Sequence, residues 1–170
     1  MKTSEESSVA DRIPRSPLWA CCRLLAGIVF AALAAGCASP TGYKLEHTAI
    51  DVADPVATAQ WWCDNLGFSV TMQKTDATHT TFIVDSTGKV AIELYRAKDA
   101  PQAPDYRSMS PLQLHFAFVS EDVDADIERM VKAGATLVVH EKAQGFDGAM
   151  MRDPSGIPLQ FVKRGRSVLK

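Results

Sequence analysis

One feature limits what this chain can fold into more than any other: between residues 44 and 164 the same order of elements is written twice. In the first pass, residues 45–52 read as a strand. Asp54-Pro55 then opens a helix, with Asp54 as side-chain cap and Pro55 at the first position, where its missing N–H costs nothing. The helix passes through Trp61, Trp62 and Leu66 and stops at Gly67. Three strands are predicted next, at about 68–74, 79–84 and 89–96, with Gly88 turning the chain before the last. In the second pass, residues 112–119 are the strand and Asp122 caps a helix. Val123, Ile127 and Met130 fall four and then three apart on one face of that helix. Asp124 and Asp126 sit at its positive end, and Gly134 stops it. Strands at about 136–140, 147–152 and 158–163 complete the set, and Asp153-Pro154-Ser155-Gly156 mirrors Asp85-Ser86-Thr87-Gly88. His47 precedes Gly67 by 20 residues, and His115 precedes Gly134 by 19.

This pattern predicts an α+β fold of two βαβββ modules, 44–98 and 112–164, forming a curved sheet around a cleft. One helix on one sheet buries its apolar face poorly alone, so the two modules are expected to pair. The stretch 97–111 between them holds Pro101, Pro104 and Pro111, which predicts a surface linker.

Four polar residues occupy equivalent places in the repeat. His47 and His115 fall in the first predicted strand of each half. Glu93 and Gln160 fall in the last, each between two apolar neighbours, and so point to the opposite face from them. Two imidazoles, a carboxylate and an amide oxygen suit a divalent ion such as Zn, Ni, Co or Fe. A histidine on a strand is more often a hydrogen-bonded structural residue than a ligand, and the equivalence of the two halves is what raises these above that background. His79 and His140 have no such equivalents; the first is a candidate for the cleft, the second for the surface. Cys63 reads as a small packed residue rather than a nucleophile. Trp61 and Trp62 cannot share one helix face, so one belongs to the core and the other to the cleft rim or a contact.

The segments EHTAIDVADP, WWCDNLGF, VAIELY, LHFAFVSEDVDADI, KAGA and RDPSGIPLQF resemble the vicinal oxygen chelate superfamily, which includes glyoxalase I, extradiol dioxygenases and bleomycin-resistance proteins. The resemblance spans residues 44–164. It implies metal ligands at His47, Glu93, His115 and Gln160, a small-molecule ligand in the cleft and a homodimer. It implies either a lyase or isomerase of the glyoxalase type, with Glu93 as the catalytic carboxylate, or a metal-free sequestering protein of the bleomycin-resistance type. Gln160 departs from the pattern, because glyoxalases carry Glu there as ligand and base. An amide ligates through oxygen but does not accept a proton at neutral pH.

Residues 1–36 stand apart from the fold. Arg12, Arg15 and Arg23 precede the apolar run Leu24–Ala35, which ends in Leu33-Ala34-Ala35-Gly36-Cys37. Twelve residues suit a signal-peptide core better than a membrane span. The ending resembles the lipobox of bacterial lipoproteins, which implies cleavage after residue 36, a lipid on Cys37, a tether over 37–43 and a cell-envelope location. Ala38 favours the outer membrane, since Asp at that place resembles the inner-membrane retention signal. Residues 165–170 are a tail. Cleavage leaves Cys63 with no disulfide partner beside a lipidated Cys37. It also leaves 14 basic and 17 acidic residues, so acyl chains rather than charge would hold the protein to a membrane. With a net charge of −2 on the whole chain and no basic stripe, nucleic acid is not expected as a partner.

Overall fold

The computed structural model describes residues 42–99, 102–166 and 168. The predicted signal peptide, Cys37 and most of the tether lie outside the described residues. Within residues 45–170 both halves form one compact unit.

Each helix starts where its capping carboxylate stands. Asp54 accepts the Ala57 N–H at 2.9 Å and opens α1 (Pro55–Leu66), which Gly67 ends with a φ of 74°. Asp122 accepts the Ala125 N–H at 3.0 Å and opens α2 (Val123–Lys132). Strands β1 (Thr48–Asp51), β2 (Ser69–Gln73), β3 (Thr81–Val84) and β4 (Ala91–Tyr95) form one sheet in the order β1-β4-β3-β2. Strands β5 (Phe116–Val119), β6 (Thr136–Ala143), β7 (Phe146–Arg152) and β8 (Pro158–Arg164) form the other, in the order β5-β8-β7-β6. β1 runs parallel to β4 and β5 parallel to β8; the remaining pairs are antiparallel. The architecture is therefore the predicted α+β repeat, built as two four-stranded mixed sheets with no closed barrel.

Strand alternation sorts each sheet into an apolar and a mixed face. Ile50, Ile83, Ile92 and Leu94 are buried on the α1 side of the first sheet. Ala149, Met151, Leu159 and Phe161 are buried on the α2 side of the second. The halves join through Trp62, which is fully buried. Its ring stands edge-on to Phe68 and Phe116, with centroids 5.3 and 5.1 Å away, and its Nε1–H donates to Asp153 Oδ2 at 2.9 Å. Trp61, half-buried, donates from Nε1 to the Ala133 carbonyl at 2.8 Å and ties α1 to the end of α2.

Two features differ from the sequence reading. β1 and β5 are shorter than predicted, so His47 and His115 stand just before their strands rather than within them. Thr48 pairs with Ile92, and β4 begins only one residue earlier at Ala91, so β4 offers little for residues before Thr48 to pair with. Ahead of β5 the chain turns, with the Gln113 N–H bonded to the Ser110 carbonyl at 3.0 Å. Finally, the proline-rich linker is fastened to the fold. Tyr106 is buried and donates to the Asp51 carbonyl at 2.7 Å, and Arg152 holds the Met109 carbonyl at 2.6 Å and the Tyr106 carbonyl.

β2 and β6 each lie at the outer edge of their sheet, and each carries a bulge at the corresponding place, between Val70 and Met72 and between Leu137 and Val139.

Candidate functional site

In the first half, β1 and β4 pair with Ala49 opposite Glu93. His47 lies two residues before Ala49 and so shares the face of Glu93. Its Nε2 comes within 3.2 Å of Glu93 Oε2. Its Nδ1–H donates to the Glu46 carboxylate. Phe82, opposite Glu93 on β3, sets its ring edge-on to the imidazole with centroids 5.4 Å apart. The hydrogen bond to Glu46 is the largest influence on His47 and raises its pKa above the ordinary 6.5; burial, the next largest, opposes it, and the charges of Glu46 and Glu93 add to the rise.

The second half repeats this geometry with weaker groups. Ala117 pairs opposite Gln160, and His115 lies two residues before Ala117. His115 Nδ1–H donates to the Pro111 carbonyl at 3.1 Å. Both histidines are thus held through Nδ1; Nε2 of His47 faces Glu93, and Nε2 of His115 makes no hydrogen bond among the described residues. This is the usual way an outer acceptor orients a ligating imidazole. Gln160 is half-buried, with Met150 opposite it on β7, and makes no side-chain hydrogen bond among the described residues.

Within one chain, His47 and Glu93 come together. Among the described residues no group of three or more His, Cys, Asp or Glu is arranged to hold a metal ion. His115 is exposed. Glu46, the residue that orients His47, went unnoticed in the sequence reading, although its place directly before the histidine was a visible signal.

The other singled-out residues take structural places. His79 is an exposed loop residue with a φ of 47°. His140 lies half-buried on the edge strand β6, its Nε2 2.7 Å from Asp147 Oδ1. Cys63 packs against the core, and burial, its largest influence, pushes its thiol pKa up, away from a reactive thiolate.

Two duplicated βαβββ halves, each a four-stranded mixed sheet with one helix, define the vicinal oxygen chelate class of fold. The chain belongs to the glyoxalase-like domain family, which matches residues 47–162. A glyoxalase family protein from Bacillus cereus has the same fold, with a TM-score of 0.62 and 19% identity over 76% of this chain and 99% of that one. TnmS3, an antibiotic binding protein from a Streptomyces species, gives a TM-score of 0.53 and 16% identity over 72% of this chain and 99% of its own. A member of the glyoxalase/bleomycin resistance protein/dioxygenase superfamily from Sphaerobacter thermophilus gives 0.55 and 16% over 71% and 96%. A comparison with curated proteins finds no match.

Proposed function

We propose that this protein is an envelope-anchored glyoxalase-like protein that binds a divalent ion and a small oxygen-bearing molecule. One observation carries the reading: His47 and His115 stand at equivalent places, each held through Nδ1, each on the face of a last-strand ligand candidate, Glu93 or Gln160. The halves do not form one cluster within a chain, so a second copy completes the set by facing its His115 and Gln160 toward His47 and Glu93. The donor set, two imidazole nitrogens with one carboxylate and one amide oxygen, fits a borderline ion such as Zn, Ni, Co or Fe(II). When bound, such an ion would polarise paired oxygens of a substrate as a Lewis acid. Glu46 keeps His47 in the ligating tautomer. Glu93 is the carboxylate of the set, and so the group able to accept a proton.

Gln160 favours a second reading. An amide in place of the usual base leaves binding without proton transfer, as in sequestering proteins of the bleomycin-resistance type. The antibiotic-binding description of TnmS3 is in keeping with that reading.

Calorimetric titration of the protein with Zn, Ni and Fe(II), with light scattering on the same sample, separates the two. The metal reading expects one ion per chain in a particle of twice the chain mass. His115→Ala should abolish binding, and Gln160→Glu should tighten it by replacing a neutral ligand with a charged one. Absence of saturable binding by every one of these ions retires the metal reading in favour of sequestration, and a monomer mass refutes the shared site.

A further inference from the structure

The two helices meet the opposite halves in matching ways, and the match fails in one place. Trp61 and Arg129 each lie seven residues after their helix cap. Trp61 donates to the Ala133 carbonyl at 2.8 Å, and Arg129 donates to the Asn65 carbonyl at 2.6 Å. Around α1 the seam is closed. Thr58 Oγ meets Ser155 Oγ at 2.9 Å, Trp62 binds Asp153, and linker residue Tyr106 fills the space beside β1. Around α2 the counterpart of Thr58 is Asp126, which turns instead to Ser120 at 2.6 Å and to Arg129 at 2.7 Å. It makes no bond to Thr87, the counterpart of Ser155. A cavity of about 770 Å³ remains there.

Its apolar wall is Leu66, Phe116, Phe118 and Phe161. Phe116 and Phe118 project from β5 to the face opposite His115. None of His47, Glu93, His115 or Gln160 lines it. Asp85, Glu121 and Asp126 stand at its wall; Asp85 accepts from Thr87, Lys89 and Val90 and Asp126 from Ser120 and Arg129, which leaves Glu121 as the carboxylate without a side-chain partner among the described residues. The one guanidinium there, Arg129, is already committed to Asn65 and Asp126. The volume falls within the range of small-molecule sites, roughly 300–1,000 Å³. Aromatic walls favour a flat ring system, and three carboxylates against one guanidinium in the lining favour a cation or a hydrogen-bond donor.

From this we infer that the seam between α2 and the turn 85–88 is a second ligand site, separate from the proposed metal cleft, for a planar, cationic or donor-bearing aromatic molecule. It does not depend on the metal reading. The probe is 9-aminoacridine, planar and cationic, titrated by fluorescence into the full chain produced without lipidation, with the anionic 1-anilinonaphthalene-8-sulfonate as counterpart. Saturable binding of one acridine per chain is expected, at least tenfold tighter than the sulfonate. Ser86 is exposed at the mouth, so Ser86→Trp should block binding and Ser86→Arg should weaken it at least tenfold by charge alone. His47→Ala should leave acridine affinity unchanged. Equal affinity for both dyes, or unchanged acridine affinity in both Ser86 variants, overturns the site. Loss of binding in His47→Ala places the ligand in the metal cleft and overturns it too. A Ser86→Trp variant that loses dimer mass while keeping acridine binding assigns this face to a second copy instead.

Discussion

At the scale of single residues, the chemistry centres on His47. An imidazole between Glu46 and Glu93 is more easily protonated than a free one. The proton on Nε2 and a metal ion compete for the same lone pair, so metal binding should strengthen as pH rises through the raised value. In metal-free protein the sign for stability is opposite. A folded-state pKa above 6.5 means the charged imidazole stabilises the fold fully below that value, and the contribution is lost as pH rises through the folded pKa. NMR titration of the imidazole should show His47 above its ordinary range. Glu46→Gln should bring it down, since the Glu46 hydrogen bond is the largest cause. A His47 titrating at or below 6.5 with Glu46 intact would contradict this pairing.

At the scale of elements, the repeat itself was legible because its signals are local. Caps at Asp54 and Asp122, stops at Gly67 and Gly134, and the turns at Gly88 and Gly156 depend on backbone conformation more than on tertiary context. The equivalence of His47 with His115 and of Glu93 with Gln160 followed from the same register. Strand ends were less legible, because pairing stops where the partner strand does, and that is set by a segment over 40 residues away, as with Thr48 and Ile92. The linker misled for a related reason: its prolines signalled a surface path, while the anchoring partners of Tyr106, Asp51 and Arg152, lie in different halves. The contact of α1 with the second half was equally hidden, since Trp62 and Asp153 are 91 residues apart. Burial, the largest influence on Asp153, raises its pKa, against hydrogen bonds from Trp62 and neighbouring backbone N–H groups. Stability linked to Asp153 therefore falls as pH rises from 3.8 through the raised value, because the folded state holds the proton more tightly. Trp62→Phe keeps most of the ring and removes the N–H. It should cost about 1–3 kcal/mol at neutral pH by leaving a buried carboxylate oxygen unpaired, and less in acid, where Asp153 is protonated. Urea unfolding at both pH values measures it, and an equal loss at both would assign the cost to packing alone.

At the scale of the whole molecule, the proposed anchor would decide where this chemistry operates. No described helix is long and apolar enough to cross a membrane, and the proposed attachment is the lipid on Cys37. Cys37→Ser should release the protein from membranes or leave the precursor uncut; unchanged processing and membrane partition would refute the lipoprotein reading. The paired bulges in β2 and β6 bear on life at such a surface. These outer strands expose Val70, Met72, Leu137, Val138 and Val139, apolar side chains beside unpaired backbone groups. A straight strand of that composition is a template for a neighbouring chain to extend. The inserted residue in each throws the hydrogen-bond spacing out of step and bends the strand away. Molecules gathered on a two-dimensional sheet of lipid meet far more often than molecules in bulk water. If this chain is anchored as proposed, the bulges would let its copies meet there without growing into fibres.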